Sequence, residues 1–463
     1  MKRRKKLWIM GAVLLSVLVL TVSVSLMEHH LEQVRASGET ILQIDPQSVT
    51  ALSWDHDGEI LSFTRDDRWH YDADPAFPVS AEEMEQMLAP FNGLAAAFRI
   101  EDVEDYGQYG LTEPVCTIRL TADGQPYEVK LGAFSQMDSQ RYVDIGDGNV
   151  YLVLEDPMAE YGSGLGRVIE HDRVPEFENV ERITADSGVT ILRQPEGAVS
   201  YREEDVYFAR QDDGFLPLDT AAVDRYLDSL IHLNLTDYRT YTASSDDLSV
   251  YGLDQPELTI QVDYTADETP AAWTLHLARD PEALAEAESE SDQTVPVYAR
   301  VGDSELVYEL MPQDYDRLSA CTANDLRHRE IFPAKLQDVR ALRISLDGSD
   351  AFFEQQEKET EDVFVYEGQE TDLSGLLTDL SELKAETFTD EIPDGVLEIA
   401  LEATVGESDI VTVELYRLDG QSCVAVVDGV SVAKVPRSQV VDLMEAVRTI
   451  VLSPAEPTDA SES

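Results

Sequence analysis

Two kinds of apolar pattern run along this chain. The first is a continuous run. Residues 7–27 read LWIMGAVLLSVLVLTVSVSLM, without one charged side chain. As a helix rising about 1.5 Å per residue, the run is roughly 31 Å long, close to the hydrocarbon thickness of a bilayer. The second pattern is short and periodic, alternating strands mixed with single helical faces, and it recurs three times.

The first copy opens with residues 50–54 (TALSW) and 60–64 (ILSFT) around Asp57-Gly58, a hairpin signal. Residues 69–71 suggest a third strand. Ser80 opens a helix, with Glu83 placed to complete a capping box. Met84, Met87, Leu88 and Phe91 then fall at i, i+3, i+4 and i+7, one apolar face. Tyr109-Gly110-Leu111 and Pro114 follow, leading into an alternating strand over 115–120. Further strands are predicted over 127–131, 141–145 and 150–154.

The second copy keeps this order. Strands over 180–185 and 189–192 flank Asp186-Ser187-Gly188, and Asp219 caps a helix carrying Val223, Tyr226, Leu227, Leu230 and Ile231 on one face. Tyr251-Gly252-Leu253 and Pro256 then precede a strand over 258–264. The two Y-G-L-x-x-P segments stand before strands of similar length. In the third copy a strand over 339–346 leads into Asp347-Gly348. Asp372 precedes the face Leu373, Leu376, Leu377 and Leu380. The Y-G-L tripeptide is missing, and Ile392-Pro393 stands in its place. Closing strands are predicted over 411–415, 422–427 and 430–435. Each copy ends on an apolar strand followed by Pro157, Pro312 or Pro436, where a short helix can start with Pro in its first turn.

The expected fold is therefore α+β: an N-terminal transmembrane helix followed by three tandem units, each a mainly antiparallel sheet with one main packed helix. The boundaries read as a basic tail over 1–6, the span over 7–27 and a stalk over 28–40. Unit one is 41–166, unit two 167–333 and the degenerate unit three 334–452. An acidic tail at 453–463 is expected to be disordered. The acidic stretch 280–293 reads as an exposed insertion in unit two.

Charge orients the apolar run. Residues 1–6 (MKRRKK) hold five basic side chains and no acidic one, which should stay cytoplasmic and leave the rest outside the membrane. A cleaved secretory signal is the competing reading. It fits less well, because the run exceeds a 7–15-residue signal core and Glu28, His29, His30 and Glu32 follow directly. The expected location is thus the cell membrane, single-pass, with an extracytoplasmic body that contacts lipid only through residues 7–27. Over the whole chain 92 acidic residues face 34 basic ones, a formal charge of −58. Such a surface repels phosphate backbones and argues against nucleic-acid binding.

The search for chemistry changes the picture little. No G-x-x-x-x-G-K-[ST] and no G-x-G-x-x-G after a strand occurs, so no nucleotide partner is expected. The eight histidines show no metal-ligand spacing. Asp55-His56-Asp57-Gly58-Glu59 lacks the order of a calcium loop and reads as a turn. Cys116, Cys321 and Cys423 are too few and too widely spaced for a disulfide framework. Paired carboxylates are expected everywhere by chance in so acidic a chain. No catalytic residue, metal set or cofactor is read, and the protein is not expected to be an enzyme. For the motif residues Tyr109, Gly110, Leu111, Pro114, Tyr251, Gly252, Leu253 and Pro256 the reading is structural. The glycines supply a positive φ, the prolines mark a strand's start and the tyrosines pack over the turn.

Those two motif copies resemble the bacterial family called domain of unknown function 4340. So do Val129-Lys130-Leu131-Gly132, Arg141-Tyr142-Val143 and Val150-Tyr151-Leu152-Val153 in the first unit. The likeness reads as good over 44–160, fair over 178–318 and weak beyond 335. It implies an extracytoplasmic accessory protein of an ABC-type transport system linked to gliding motility, with a permease or ATPase as partner. The alternatives are an envelope surface-interaction protein without a transporter and a carboxylate-dependent envelope hydrolase. The family carries no agreed catalytic residues.

Overall fold

The computed structural model describes residues 38–287, 294–356 and 363–452. The expected transmembrane helix over 7–27 and the tail over 453–463 lie outside these residues. Among the described residues no helix is long and apolar enough to cross a membrane.

Three nine-stranded sheets carry the fold. In the second sheet the strands are Arg182–Ala185, Val189–Arg193, Tyr207–Gln211, Gly214–Pro217, Tyr238–Thr240, Leu258–Ala266, Thr269–Arg279, Val297–Val301 and Val307–Leu310. Across the sheet they lie fourth, third, second, first, sixth, seventh, eighth, ninth, fifth. The third sheet, from Val339–Leu346 to Val430–Pro436, has the same order strand for strand. The first sheet keeps that order but has no strand at the fourth position. It adds Glu39–Leu42 at its other edge, outside Leu94–Ile100. The pairing is antiparallel, and the strand counted first in each sheet, Val49–His56, Arg182–Ala185 or Val339–Leu346, is central, bonded on one side to its hairpin partner and on the other to the sixth strand. The chain divides into two compact units, Met1–Asp172 with Thr240–Thr242, and Arg173–Arg239 with Ala243–Ser463. The second and third sheets share the latter.

The hairpins form where two-residue turns of positive φ match the strand twist. Asp57 and Gly58 have φ of 52° and 82°, and Asp347 and Gly348 have 54° and 79°. The helix Ala81–Leu88 starts at Ser80, whose hydroxyl accepts from the Glu83 amide. Glu83 does not close the expected capping box, because its carboxylate turns to Arg167, 3.4 Å away. Asp219 caps Thr220–Ile231 by accepting from the Ala221 amide. The stretch read as an insertion is helical over Pro281–Ala287.

The helical faces enter the cores. Met84, Met87, Leu88 and Phe91 are buried, as are Val223, Tyr226, Leu227 and Leu230, and Leu373, Leu376 and Leu380. Ile231 and Leu377 are half-buried instead. A second helix ties each main helix down. Tyr161 donates to the Met87 carbonyl at 2.7 Å, and Tyr226 donates to the Leu318 carbonyl at 3.1 Å. In the third sheet Leu443 and Val447 of Arg437–Leu452 share the core with Leu376 and Leu380.

Leu88 is 1% exposed. Leu88→Asp should cost about 4 kcal/mol or more by burying an unpaired carboxylate, and a denaturant titration reads the loss directly. A transition unmoved by this change would contradict the packed helix.

Candidate functional site

The repeated motif is a helix-ending device. In both copies a short 3-10 helix, Gly107–Tyr109 or Leu248–Tyr251, ends on the motif glycine, with φ 69° at Gly110 and at Gly252. The Leu111 amide reaches back to the Tyr106 carbonyl and the Gly110 amide to Gly107. The Leu253 amide reaches Leu248 and the Gly252 amide Ser249 in the same way. These paired bonds form a Schellman cap, whose turning residue needs the left-handed region. Leu111 and Leu253 are both 4% exposed, so each buries the side chain that follows the cap. Tyr109 packs on Tyr142 and Tyr251 on Tyr298, each pair 5.0 Å between ring centres, on the eighth strand of its sheet. Pro114 and Pro256 stand just ahead of the sixth strands Cys116–Ala122 and Leu258–Ala266. A Cβ on Gly110 would lie 2.9 Å from the Ala133 amide nitrogen, and one on Gly132 would lie 2.3 Å from the Tyr109 carbonyl oxygen.

Beside that entry point lies an ion cluster the sequence reading missed. Leu258 pairs with Leu277, and Ile399 with Leu415. One residue back on the sixth strand and two on along the seventh give Glu257 with Arg279 and Glu398 with Arg417. Both are ion pairs. Arg279 Nε donates to Glu257 at 2.9 Å, and Tyr315 of the helix Pro312–Ser319 donates to the same oxygen at 2.8 Å. Arg417 Nε donates to Glu398 at 2.6 Å, and Arg437 of the closing helix donates at 2.9 Å. Cys423 adds its thiol to Glu398. Burial pushes the Glu398 carboxyl up, but Arg437, Arg417 and Cys423 outweigh it and hold it below its ordinary range. The thiol itself is pushed up to about 12 by burial and by Glu398, and the three cysteines are buried and free of disulfides.

A ligand-sized hollow with a largely apolar wall lies between elements of the second and third sheets, with a volume of about 610 Å³. Its wall includes Phe215, Leu216 and Pro217 from the edge strand Gly214–Pro217, and Phe388 from the edge strand Thr387–Phe388. The hairpin residues Ile410, Val430 and Val432 add to the apolar part. A polar frame fixes the remainder. Asp205 is 6% exposed and accepts from Ser200 Oγ at 2.6 Å and His328 Nε2 at 2.8 Å. The Arg202 guanidinium donates to the carbonyls of Pro333 and Phe332 and lies 3.3 Å from His328 Nδ1. A guanidinium only donates, so Nδ1 accepts and Nε2 carries the proton given to Asp205. Asp205 therefore stands between Ser200 and His328. In a nucleophilic triad the histidine would touch the serine, so this trio is a brace that locks the 199–205 loop to the connector between sheets. Tyr201 closes another side by donating to Asp428 at 2.9 Å. Burial and that carboxylate push its phenol up to about 12.

Arg327 is the exception on this wall. Its guanidinium lies 4.3 Å from the ring centre of Phe388, and among the described residues no carboxylate pairs with it. Burial alone pushes its pKa down. No group of three or more His, Cys, Asp or Glu side chains that could hold a metal ion occurs among the described residues. None of the eight motif residues lines the cavity. The cavity was invisible in the sequence because it joins a loop, a connector and two hairpins far apart in the chain.

Fold and cavity together define a sheet-repeat protein with a ligand-sized apolar hollow. Residues 210–398 match the family model described as a domain of unknown function (DUF4340). That stretch runs from the third strand of the second sheet to the start of the sixth strand of the third, and it includes Arg327, His328 and Phe388. The likeness had read as strongest over 44–160, whereas the matched residues lie in the second and third sheets. No curated protein and no solved structure matches the chain.

Two outcomes follow. Gly110→Ala should destabilise the first sheet by about 2 kcal/mol, because it adds a close backbone contact to the left-handed strain of about 1 kcal/mol. Gly124→Ala, with φ 73° and nothing within 4 Å of the added carbon, should cost only the strain, and comparing the two melting curves separates the terms. Glu398→Gln should cost about 3 kcal/mol at neutral pH, because Glu398 is only 2% exposed and its two cations lose their carboxylate. A carboxyl held below its ordinary value stabilises above that value and loses the effect as pH falls through the folded one. The gap between wild type and E398Q should thus be constant at neutral pH and shrink below about 4.5.

Proposed function

We propose that this protein is a single-pass, membrane-anchored extracytoplasmic binding protein, auxiliary to an ABC-type transport system of the cell envelope. The observation that carries the binding half is the 610 Å³ hollow, whose wall combines apolar side chains with a braced polar frame. The anchor half rests on the uncharged run over 7–27 behind a basic block, which fits a span with its N-terminus inside. The auxiliary role rests on the resemblance to the domain of unknown function 4340 family. In this reading the acidic body stays clear of anionic lipid, and the sheets present a bound molecule or a docking face to a permease.

Affinity capture of the full chain from mildly solubilised membranes should recover a permease or an ATPase. Protease added to intact cells should digest the body, Asp57 and Tyr251 included. A chain that runs alone in mild detergent contradicts the auxiliary role. A body protected until lysis inverts the topology.

A further inference from the structure

Inside the cavity one feature is left without a counterpart. The acidic groups of its wall are mostly engaged within the protein. Asp205 is held by Ser200 and His328, Glu330 by Lys384 at 3.3 Å, and Asp428 by Tyr201 and the Thr412 amide. Among the described residues the Arg327 guanidinium is engaged only by the face of Phe388. A half-buried cation without a carboxylate partner costs stability, and among the described residues no carboxylate pairs with this one. A second feature points to the same place. Val199, Ile410 and Val430 are 76%, 57% and 64% exposed, and all three line this cavity. Exposed aliphatic side chains gathered at one hollow mark a surface that is covered in use. From Val430 to Ala433, the partner of Phe388 across the sheet, an extended strand spans about 10 Å. The guanidinium and the exposed aliphatic groups are thus separated by roughly the length of a medium-sized organic molecule.

Resting on the binding reading above, we propose that the cavity takes an amphipathic monoanion, a small molecule with an apolar body and one carboxylate. The carboxylate meets Arg327 above the Phe388 ring, where a planar guanidinium offers two parallel donors. The apolar body lies along Pro217 and Val430 and covers Ile410. Asp409, exposed at the start of its strand, is the wall group that would favour the opposite charge, a cationic ligand.

Titration calorimetry on the full chain in lipid nanodiscs, with empty nanodiscs as blank, decides between these charges. The probes are 4-phenylbutyrate, its uncharged amide and 4-phenylbutylamine. The acid should bind about tenfold more tightly than the amide, the size of one charge-assisted pair. Arg327→Met should bring the acid down to the level of the amide while leaving the melting midpoint nearly unchanged, since in the ligand-free protein the lost contact with the Phe388 ring is offset by removal of a half-buried cation. Ile410→Asp, at an exposed position, should weaken the acid independently of Arg327. Equal binding of acid and amide, preference for the amine, or full acid binding by both variants overturns the proposal. Partner recovery from membranes is a separate readout: if it persists without acid binding, the inference falls and the auxiliary reading stands.

Discussion

Each sheet depends on saturating both edges of its first strand. Leu52 pairs with Phe63 on one side and Leu120 on the other; Ile183 pairs with Ile191 and Val262; Leu342 pairs with Phe353 and Ala403. The hairpin side is local and inexpensive in chain entropy. The other side joins the sixth strand, which arrives only after the main helix and the fifth strand have been laid down, so a long loop must close before any pairing is gained. Whatever delivers the sixth strand in the right register therefore controls the whole sheet. A slip of one residue would turn Ile118 or Val262, both fully buried, out of the core.

The recurring Y-G-L-x-x-P is best understood as that delivery. The Schellman cap stops a short helix, the left-handed glycine reverses the chain against the end of the seventh strand, and the proline releases it into the sixth. In the first sheet Ala133 lies under Gly110 at the position where the second sheet has Arg279. The second sheet uses both cap and ion pair. The third lacks the cap and leans on ions, with Glu398 held by two guanidinium groups. A second close approach helps there, since a Cβ on Gly395 would lie 1.7 Å from the Arg417 carbonyl oxygen. One mechanical need, aiming the sixth strand, is thus met by backbone geometry in one sheet, by charge in another and by both in the sheet between.

This explains what could and could not be read from residues alone. Asp-Gly turns and i, i+3, i+4, i+7 faces are local signals, so the hairpins at Asp57-Gly58 and Asp347-Gly348 and the buried helix faces were legible. Gly110 and Gly252 were legible as positions of positive φ. Tyr109 and Tyr251 were expected over the turn, whereas their partners Tyr142 and Tyr298 stand on a strand two places further along the sheet. In the second and third sheets the edge strands Tyr238–Thr240 and Thr387–Phe388, the latter pairing Thr387 with Lys434, left no pattern because two or three residues have too few side chains to alternate. Glu257 and Glu398 were hidden by abundance. Among 92 acidic residues nothing local distinguishes the one that meets an arginine across a strand.

The cavity follows from the same economy of edges. A nine-stranded open sheet has two exposed borders, and exposed borders invite pairing with other chains. In the second sheet one border is Gly214–Pro217, short and ended by a proline; in the third, one is Thr387–Phe388, only two residues long. Both border the same hollow, where the 199–205 loop and the connector leading to the third sheet are fastened by Arg202, Asp205 and His328. In that brace Arg202 is spent on the carbonyls of Phe332 and Pro333. Arg327 meets the face of a ring in place of an ion. Among the described residues no carboxylate pairs with that half-buried guanidinium, and a charge held away from bulk water is screened less than one in solution.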